Sequence, residues 1–208
     1  MSKGQRTRDV ILQQGIAVAY KVGLEGLTIG ALAAEVEMSK SGMFAHFGSK
    51  QAMQMAVLDA AAADFGEAVV VPALAEPRGE PRLRALVDNW LTCGRARRPG
   101  GCLFVKASTE LDEQDGPVRD RLREQHQQLA QSIARMVAGG VTEGQLHPDT
   151  DTEQFATDLH GVMLAMYHGY RLLSDPAAER HARTAIDRLL DAARADLTAA
   201  TPALTASA

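Results

Sequence analysis

Between Leu27 and Lys50 the chain reads LTIGALAAEVEMSKSGMFAHFGSK, a stretch that few folds accommodate. Thr28 is placed to cap a helix over Ile29–Val36 and Ser49 to cap another from Lys50. A hydroxyl at such a position accepts from a backbone N–H that the helix leaves unpaired. A break at Glu37–Ser39 sets off a further short segment, Lys40–His46. Two short helices joined by three residues form a helix-turn-helix, the arrangement whose second helix enters a DNA major groove. Helices crossing this closely need small and apolar residues at set places. Leu32, Ala33, Val36, Met38 and Met43 supply them, with Ala33 at the closest approach and Phe47 closing the unit. Lys40, Ser41 and His46 are left pointing outward.

The rest of the chain reads as helix with clear punctuation. Asp9–Val22 stops at Gly23, and a long helix runs from Lys50 to about Val70. Pro72, Pro77, Gly79 and Pro81 mark a loop. Arg82–Ala96 places Leu83, Leu86, Val87, Trp90 and Leu91 on one helical stripe, and Pro99-Gly100-Gly101 ends it. Cys102–Leu111 is a short apolar helix. Gly116-Pro117 opens another that runs to Gly139-Gly140, with proline at the favoured first position. Thr152–Leu173 and Ala177–Leu197 flank Ser174-Asp175-Pro176, and the tail Thr198–Ala208 is polar enough to fray. No segment alternates with period two and no repeat occurs, so the expected fold class is all-α: a three-helix head over 1–50 and a helical body over 51–208.

Composition narrows the function classes. Aromatic residues are only 4% of the 208, so Ala, Leu, Val, Ile and eight Met must build most of the core, a mixture that favours helix. The opening Met1–Arg6 has no apolar stretch behind it, and the longest apolar segment, near Gly161–Leu173, is interrupted by His168 and Arg171. Neither a secretory signal nor a membrane span is expected. Cys93 and Cys102 fit neither a disulfide framework nor a metal pair, and reduced thiols in a cytoplasmic protein are the expectation. Net charge is -4, yet residues 1–50 sum to +2 and the remainder to -6. A positive head on an acidic body points to an anionic partner, although two charges alone decide nothing.

The stretch resembles the TetR family of bacterial transcription regulators through Thr28-Ile29, Leu32-Ala33, Glu35, Met38-Ser39-Lys40, Met43-Phe44, His46-Phe47 and Ser49-Lys50. The resemblance implies a homodimer with two DNA-reading heads and a helical body that binds a small effector. By position it turns Thr28, Lys40, Phe44, His46 and Lys50 toward DNA. Lys50 and His46 suit phosphates, and Ser41, Phe44 and Ala45 suit base edges or thymine methyls. Arg6 and Arg8, read as an N-terminal arm, would touch phosphate or the minor groove. Three departures bear on affinity. Glu37 occupies a turn position where the family usually has glycine, Phe44 stands where tyrosine is common, and Gly42 weakens a short recognition helix.

The family's last two helices pair with those of a second subunit. Here Leu159, Val162, Met166, Ile186, Leu189, Leu190, Ala193 and Leu197 are the expected dimer-interface residues. Trp90, Cys93, Phe104, His126, Phe155, His160, Met163, Tyr167 and His168 are the candidates for lining an effector pocket. His160 and His168 lie two turns apart, which does not make a zinc pair, and neither a metal nor a cofactor beyond an unidentified small-molecule effector is expected. The resulting expectation is a ligand-responsive repressor that binds a palindromic operator on double-stranded DNA. The rival is a helical small-molecule-binding protein or enzyme with no DNA role. No GxSxG, Walker A, GxGxxG or HExxH pattern supports catalysis, and Cys102 has no activating partner near it in sequence.

Overall fold

The computed structural model describes residues 3–96 and 102–195, which contain only helices and one isolated antiparallel bridge between Leu146 and Arg194. In chain order these are α1 (Lys3–Val22), α2 (Ile29–Glu35), α3 (Lys40–Phe47), α4 (Lys50–Phe65), α5 (Val71–Ala75), α6 (Glu80–Ala96), α7 (Leu103–Leu111), α8 (Pro117–Thr142), α9 (Thr152–Arg171) and α10 (Ala178–Ala193). The fold is all-α. No helix among the described residues is long and apolar enough to cross a membrane. The expected stop at Pro99-Gly100-Gly101, Leu197 and the tail from Thr198 lie outside the described residues.

Several boundaries differ from the sequence expectation, each for a physical reason. α1 starts at Lys3, six residues early, and its first turns are steadied by a Gln5–Asp9 bond at i, i+4 and by Arg8. The proline-rich stretch is mostly helical. α4 passes through a π-helical turn, Gly66–Val70, straight into α5, with the Val71 N–H bonded to the Gly66 carbonyl. Pro72 has no N–H, and its ring would collide with the carbonyl four residues back in a regular helix. The wider turn just before it relieves that conflict. Pro81 falls in the first turn of α6, leaving only residues 76–79 as the connection. Gly139-Gly140 does not end α8, because Gly140 is where Leu146 and Gly79 press on the helix: a Cβ there would lie 2.8 Å from Leu146 Cδ1.

Two apolar cores result. The first, around Ile11, Leu27, Leu32, Met43, Met53 and Leu58, joins α1–α4 and takes in Leu103, Leu111, Val118 and Leu122 from α7 and α8. The packing around the helix-turn-helix therefore extends past residue 50. The second lies between α5, α6, α8, α9 and α10 and centres on Leu86, Trp90, Ile133, Phe155, Met163 and Ile186.

Charged residues lace α6 to α10. Glu80 pairs with Arg194, Arg84 with Asp187, Asp88 with Arg183 and Arg95 with Glu179, a ladder that fixes one antiparallel register. Glu80 anchors it, since Arg84 also bonds to it at 2.8 Å. The Arg194 hydrogen bond, opposed by burial and reinforced by Arg84, holds the Glu80 carboxyl down at about 2, below its ordinary 4.5. A carboxylate with a depressed folded pKa stabilises above its unfolded pKa and loses that contribution as pH falls toward the folded one. Glu80→Gln should therefore cost on the order of 1 kcal/mol at pH 7, allowing for solvent screening of the arginines. Its deficit in thermal melts against the parent should shrink as pH is lowered from about 5 toward 3.

Candidate nucleic-acid interface and body cavity

Both caps expected in the head form, and Ser39 supplies a third. Thr28 Oγ1 accepts from Ala31 N at 3.1 Å, Ser39 Oγ from Gly42 N at 3.1 Å and Ser49 Oγ from Ala52 N at 3.0 Å. Between α2 and α3 the chain closes a Schellman motif: Met38 N donates to Ala33 O at 2.9 Å and Glu37 N to Ala34 O at 3.3 Å. Glu37 sits there at φ 53, in the left-handed region where a side chain is strained. Leu32, Ala33 and Met43 are fully or almost fully buried beneath the crossing.

That packing leaves one outward face. Thr28, Lys40, Ser41, Phe44 and Ala45 are exposed, Phe44 by 56%, and His46 is half-buried. Lys40 folds back over the start of α2, where Gly30 makes room: a Cβ at Gly30 would lie 3.2 Å from Lys40 Cε. Lys50 is exposed but spends its ammonium on the Glu25 carbonyl at 2.9 Å. Arg6 is exposed on α1. Arg8 requires a correction, because it is no free arm. It is half-buried within α1, donates to the His46 carbonyl at 2.9 Å and lies 4.7 Å from the centre of the Phe47 ring. It thus closes the C-terminal end of the recognition helix.

The junction between head and body was not anticipated from sequence. The Glu110 carboxylate on α7 accepts from Leu24 N at 2.7 Å and Glu25 N at 3.1 Å, while Lys106 Nζ donates to Lys21 O at 3.0 Å. From α4, the buried Gln54 donates to Leu24 O at 2.6 Å. Gly23, at φ 83, has no space for a Cβ, which would fall 1.7 Å from the Glu110 carboxylate.

The body holds a cavity of about 180 Å³, open to solvent on one side, between α4, the π turn, α6, α7, α8 and α9. Four of the expected lining residues, Trp90, Phe104, His126 and His160, meet there. The His126 and His160 rings stack 5.4 Å apart, and Phe104 meets His126 edge-on. Burial lowers the pKa of both histidines, and His126 lowers that of His160 further, so the stacked pair is held neutral. The other expected residues need correction. Phe155, Met163 and Tyr167 are buried in the second core, Cys93 packs half-buried against it, and His168 is exposed; none borders this cavity. Tyr167 instead presses on Gly94, where a Cβ would come within 2.5 Å of its hydroxyl, and burial raises its pKa. Phe65, Cys102, Gln125 and Leu129 line the cavity and were missed. The spacing of Gln125, His126, Leu129 and Ser132 along one face of α8 was the available signal. Among the described residues no group of three or more potential metal ligands comes together.

The expected dimer-interface set also needs correction. Leu159, Met166, Ile186, Leu190 and Ala193 are buried within the chain, and Val162 and Leu189 are half-buried against its core. A helix pair in a body of this size hides its apolar stripe by packing on its own neighbours first. Leu164 within α9 and Leu172 and Leu173 just past its end face outward, the last two exposed by 70% and 64%.

A capped helix-turn-helix with an exposed recognition face, carried on a helical body that holds a cavity, defines a helix-turn-helix transcription regulator. Residues 11–57 match the family described as bacterial regulatory proteins, tetR family, and residues 79–186 match the tetracyclin repressor-like C-terminal domain. The chain belongs to the TetR family. Its fold is similar to that of a TetR transcriptional regulator from Chloroflexus aurantiacus, at 25% identity and TM-score 0.79, covering 92% of this chain and 96% of that one. A TetR-family regulator from Cytophaga hutchinsonii aligns at 18% identity and TM-score 0.81, covering 93% and 98%. AibR, solved with isovaleryl coenzyme A and operator DNA, aligns at 18% identity and TM-score 0.68, covering 87% and 96%. None of the curated proteins matches the chain in sequence.

Two substitutions probe this geometry. Glu37→Gly should raise stability by about 1 kcal/mol in urea unfolding, because it removes left-handed strain; no gain would contradict the Schellman turn. Glu110→Ala strips two N–H groups of their acceptor, one of them on the fully buried Leu24, and should cost about 1–3 kcal/mol in the same measurement.

Proposed function

We propose that this regulator binds a near-palindromic operator on double-stranded DNA as a homodimer, represses, and is released when a small molecule occupies the body cavity. Residues 1–50 serve as the DNA-binding part and 51–208 as the effector-binding and dimerisation part. The observation that carries the reading is the exposed face of α3 with Lys40, Ser41, Phe44 and Ala45, held outward by a buried crossing and three caps. An exposed phenylalanine on a basic helix has no folding purpose, whereas apolar contact with a thymine methyl gives it one. AibR, with both operator DNA and an acyl-coenzyme A bound in its structure, supports the pairing of a DNA-reading head with a ligand-holding body.

Leu164 on α9 and Leu172 and Leu173 just past its end support a second copy of the chain as partner, since exposed leucines are best hidden by an isologous contact. Such a dimer presents two recognition helices to successive major grooves about 34 Å apart. A route from cavity to head also exists. α7 carries Phe104 at the cavity and, two turns on, Glu110 at the end of α1; α4 carries Phe65 at the cavity and Gln54 at the same junction. A ligand that favours one position of α7 and α4 over another shifts the heads by that differential affinity.

Selection of duplexes from a randomised pool tests the reading. An enriched inverted repeat supports a dimeric regulator, and no enrichment at low salt by folded protein overturns it. If each subunit neutralises about four phosphates, log K against log salt should fall with a slope near -7. Lys40→Ala should flatten that slope by about 2 per dimer, with helicity and oligomeric state unchanged.

A further inference from the structure

We propose that the body cavity takes an uncharged, single-ring aromatic molecule bearing a hydrogen-bond donor, a phenol in its simplest form. What such binding does to DNA rests on the regulator reading above; what binds is argued from the cavity itself.

Charge comes first. Among the described residues no Lys, Arg, Asp or Glu lines the cavity. Burial keeps its two histidines neutral. A carboxylate, phosphate or ammonium group would enter without a counter-charge and pay its full desolvation cost. Shape comes next. Phe65, Trp90, Phe104, His126 and His160 present rings at T-shaped, tilted and stacked angles, which suits a flat guest that can meet them edge to face. A cavity of roughly 150 Å³ is known to hold benzene, so about 180 Å³ admits one ring with a small substituent.

The demand for a donor comes from Gln125. Gln125 is 8% exposed and borders the cavity. Its Nε2 donates to Asp59 Oδ1 at 2.9 Å, and the carboxylate forbids the flipped amide, which would set oxygen against oxygen. Its Oε1 is therefore fixed as an acceptor, and it is buried with no hydrogen-bond partner. Leaving such an atom unmet is costly, so something with an O–H or N–H belongs beside it. His126 Nε2 and the Ser108 hydroxyl lie 3.0 Å apart, a hydrogen bond the protein completes by itself. The other unmet buried atom among the described residues, Trp90 Nε1, has the Tyr167 hydroxyl as a weak neighbour outside hydrogen-bonding geometry, so Gln125 sets the polarity.

Trp90 is the chain's single tryptophan and stands in the cavity wall, which makes its fluorescence the readout. The full chain is titrated at pH 7.5 with p-cresol, toluene and benzoate, with melting temperature as the second measure. The expected result is saturable quenching, with p-cresol bound about 10-fold tighter than toluene and benzoate weaker than both. In Gln125→Leu the preference for p-cresol over toluene should collapse to about 2-fold while toluene still binds. Should that variant fail to fold, Leu129→Phe, which fills the cavity and leaves Asp59 paired, should weaken p-cresol and toluene alike. Equal affinity for p-cresol and toluene, tightest binding of benzoate, or no saturable quenching by any of the three would overturn the proposal. Operator binding is measured in parallel without ligand. Its failure counts against the regulator reading and leaves the cavity result standing, and its success alongside benzoate preference does the reverse.

Discussion

The structure depends on how the end of α1 is held. Where the helix stops at Gly23, the N–H groups of Leu24 and Glu25 turn to the single carboxylate of Glu110, and the carbonyls of Lys21, Leu24 and Glu25 take Lys106, Gln54 and Lys50. Three helices thus meet on five residues of backbone. Helix ends leave polar groups unpaired by necessity, and here the body supplies what they lack. The head is consequently not a bead on a flexible string. Its orientation is set by hydrogen bonds, which have sharper distance and angle requirements than apolar packing.

The body divides its labour differently. The α6–α10 seam uses ion pairs one or two turns apart, each worth little alone, to select a single register over an apolar core that would tolerate several. The cavity lies where α4, the π turn, α7 and α8 meet α6 and α9, and Asp59 pairs with Arg121 and Gln125 across its α4–α8 edge.

Local features were legible in the sequence and long-range ones were not. The caps at Thr28 and Ser49, the break at Glu37 and the helix order follow from neighbours within four residues. Trp90, Phe104, His126 and His160 were found because large rings on helical stripes are few in this chain. The spacing along α8 could place Gln125 at the cavity, but the orientation of its amide could not be read, since that is set by Asp59, 66 positions away. Arg8 looked like an arm because its partner, the His46 carbonyl, is 38 positions off. Periodicity also names an apolar stripe without saying what covers it, which is why Ile186 and Leu190 read as interface and prove to be core.

The π turn at Gly66–Val70 has an evolutionary consequence. It holds one residue more than an α-helical course would, between two helices whose faces must both point inward: Leu58 and Ala61 before it, Val69 and Ala73 after it. A one-residue deletion there, taken up by closing the wide turn to a regular one, would keep the downstream face in phase but would put the Pro72 ring back against the carbonyl four residues before it. Length variation among descendants of this chain should therefore be sparse between Lys50 and Ala75 and collect at residues 76–79 and 143–150, where no face has to stay in phase.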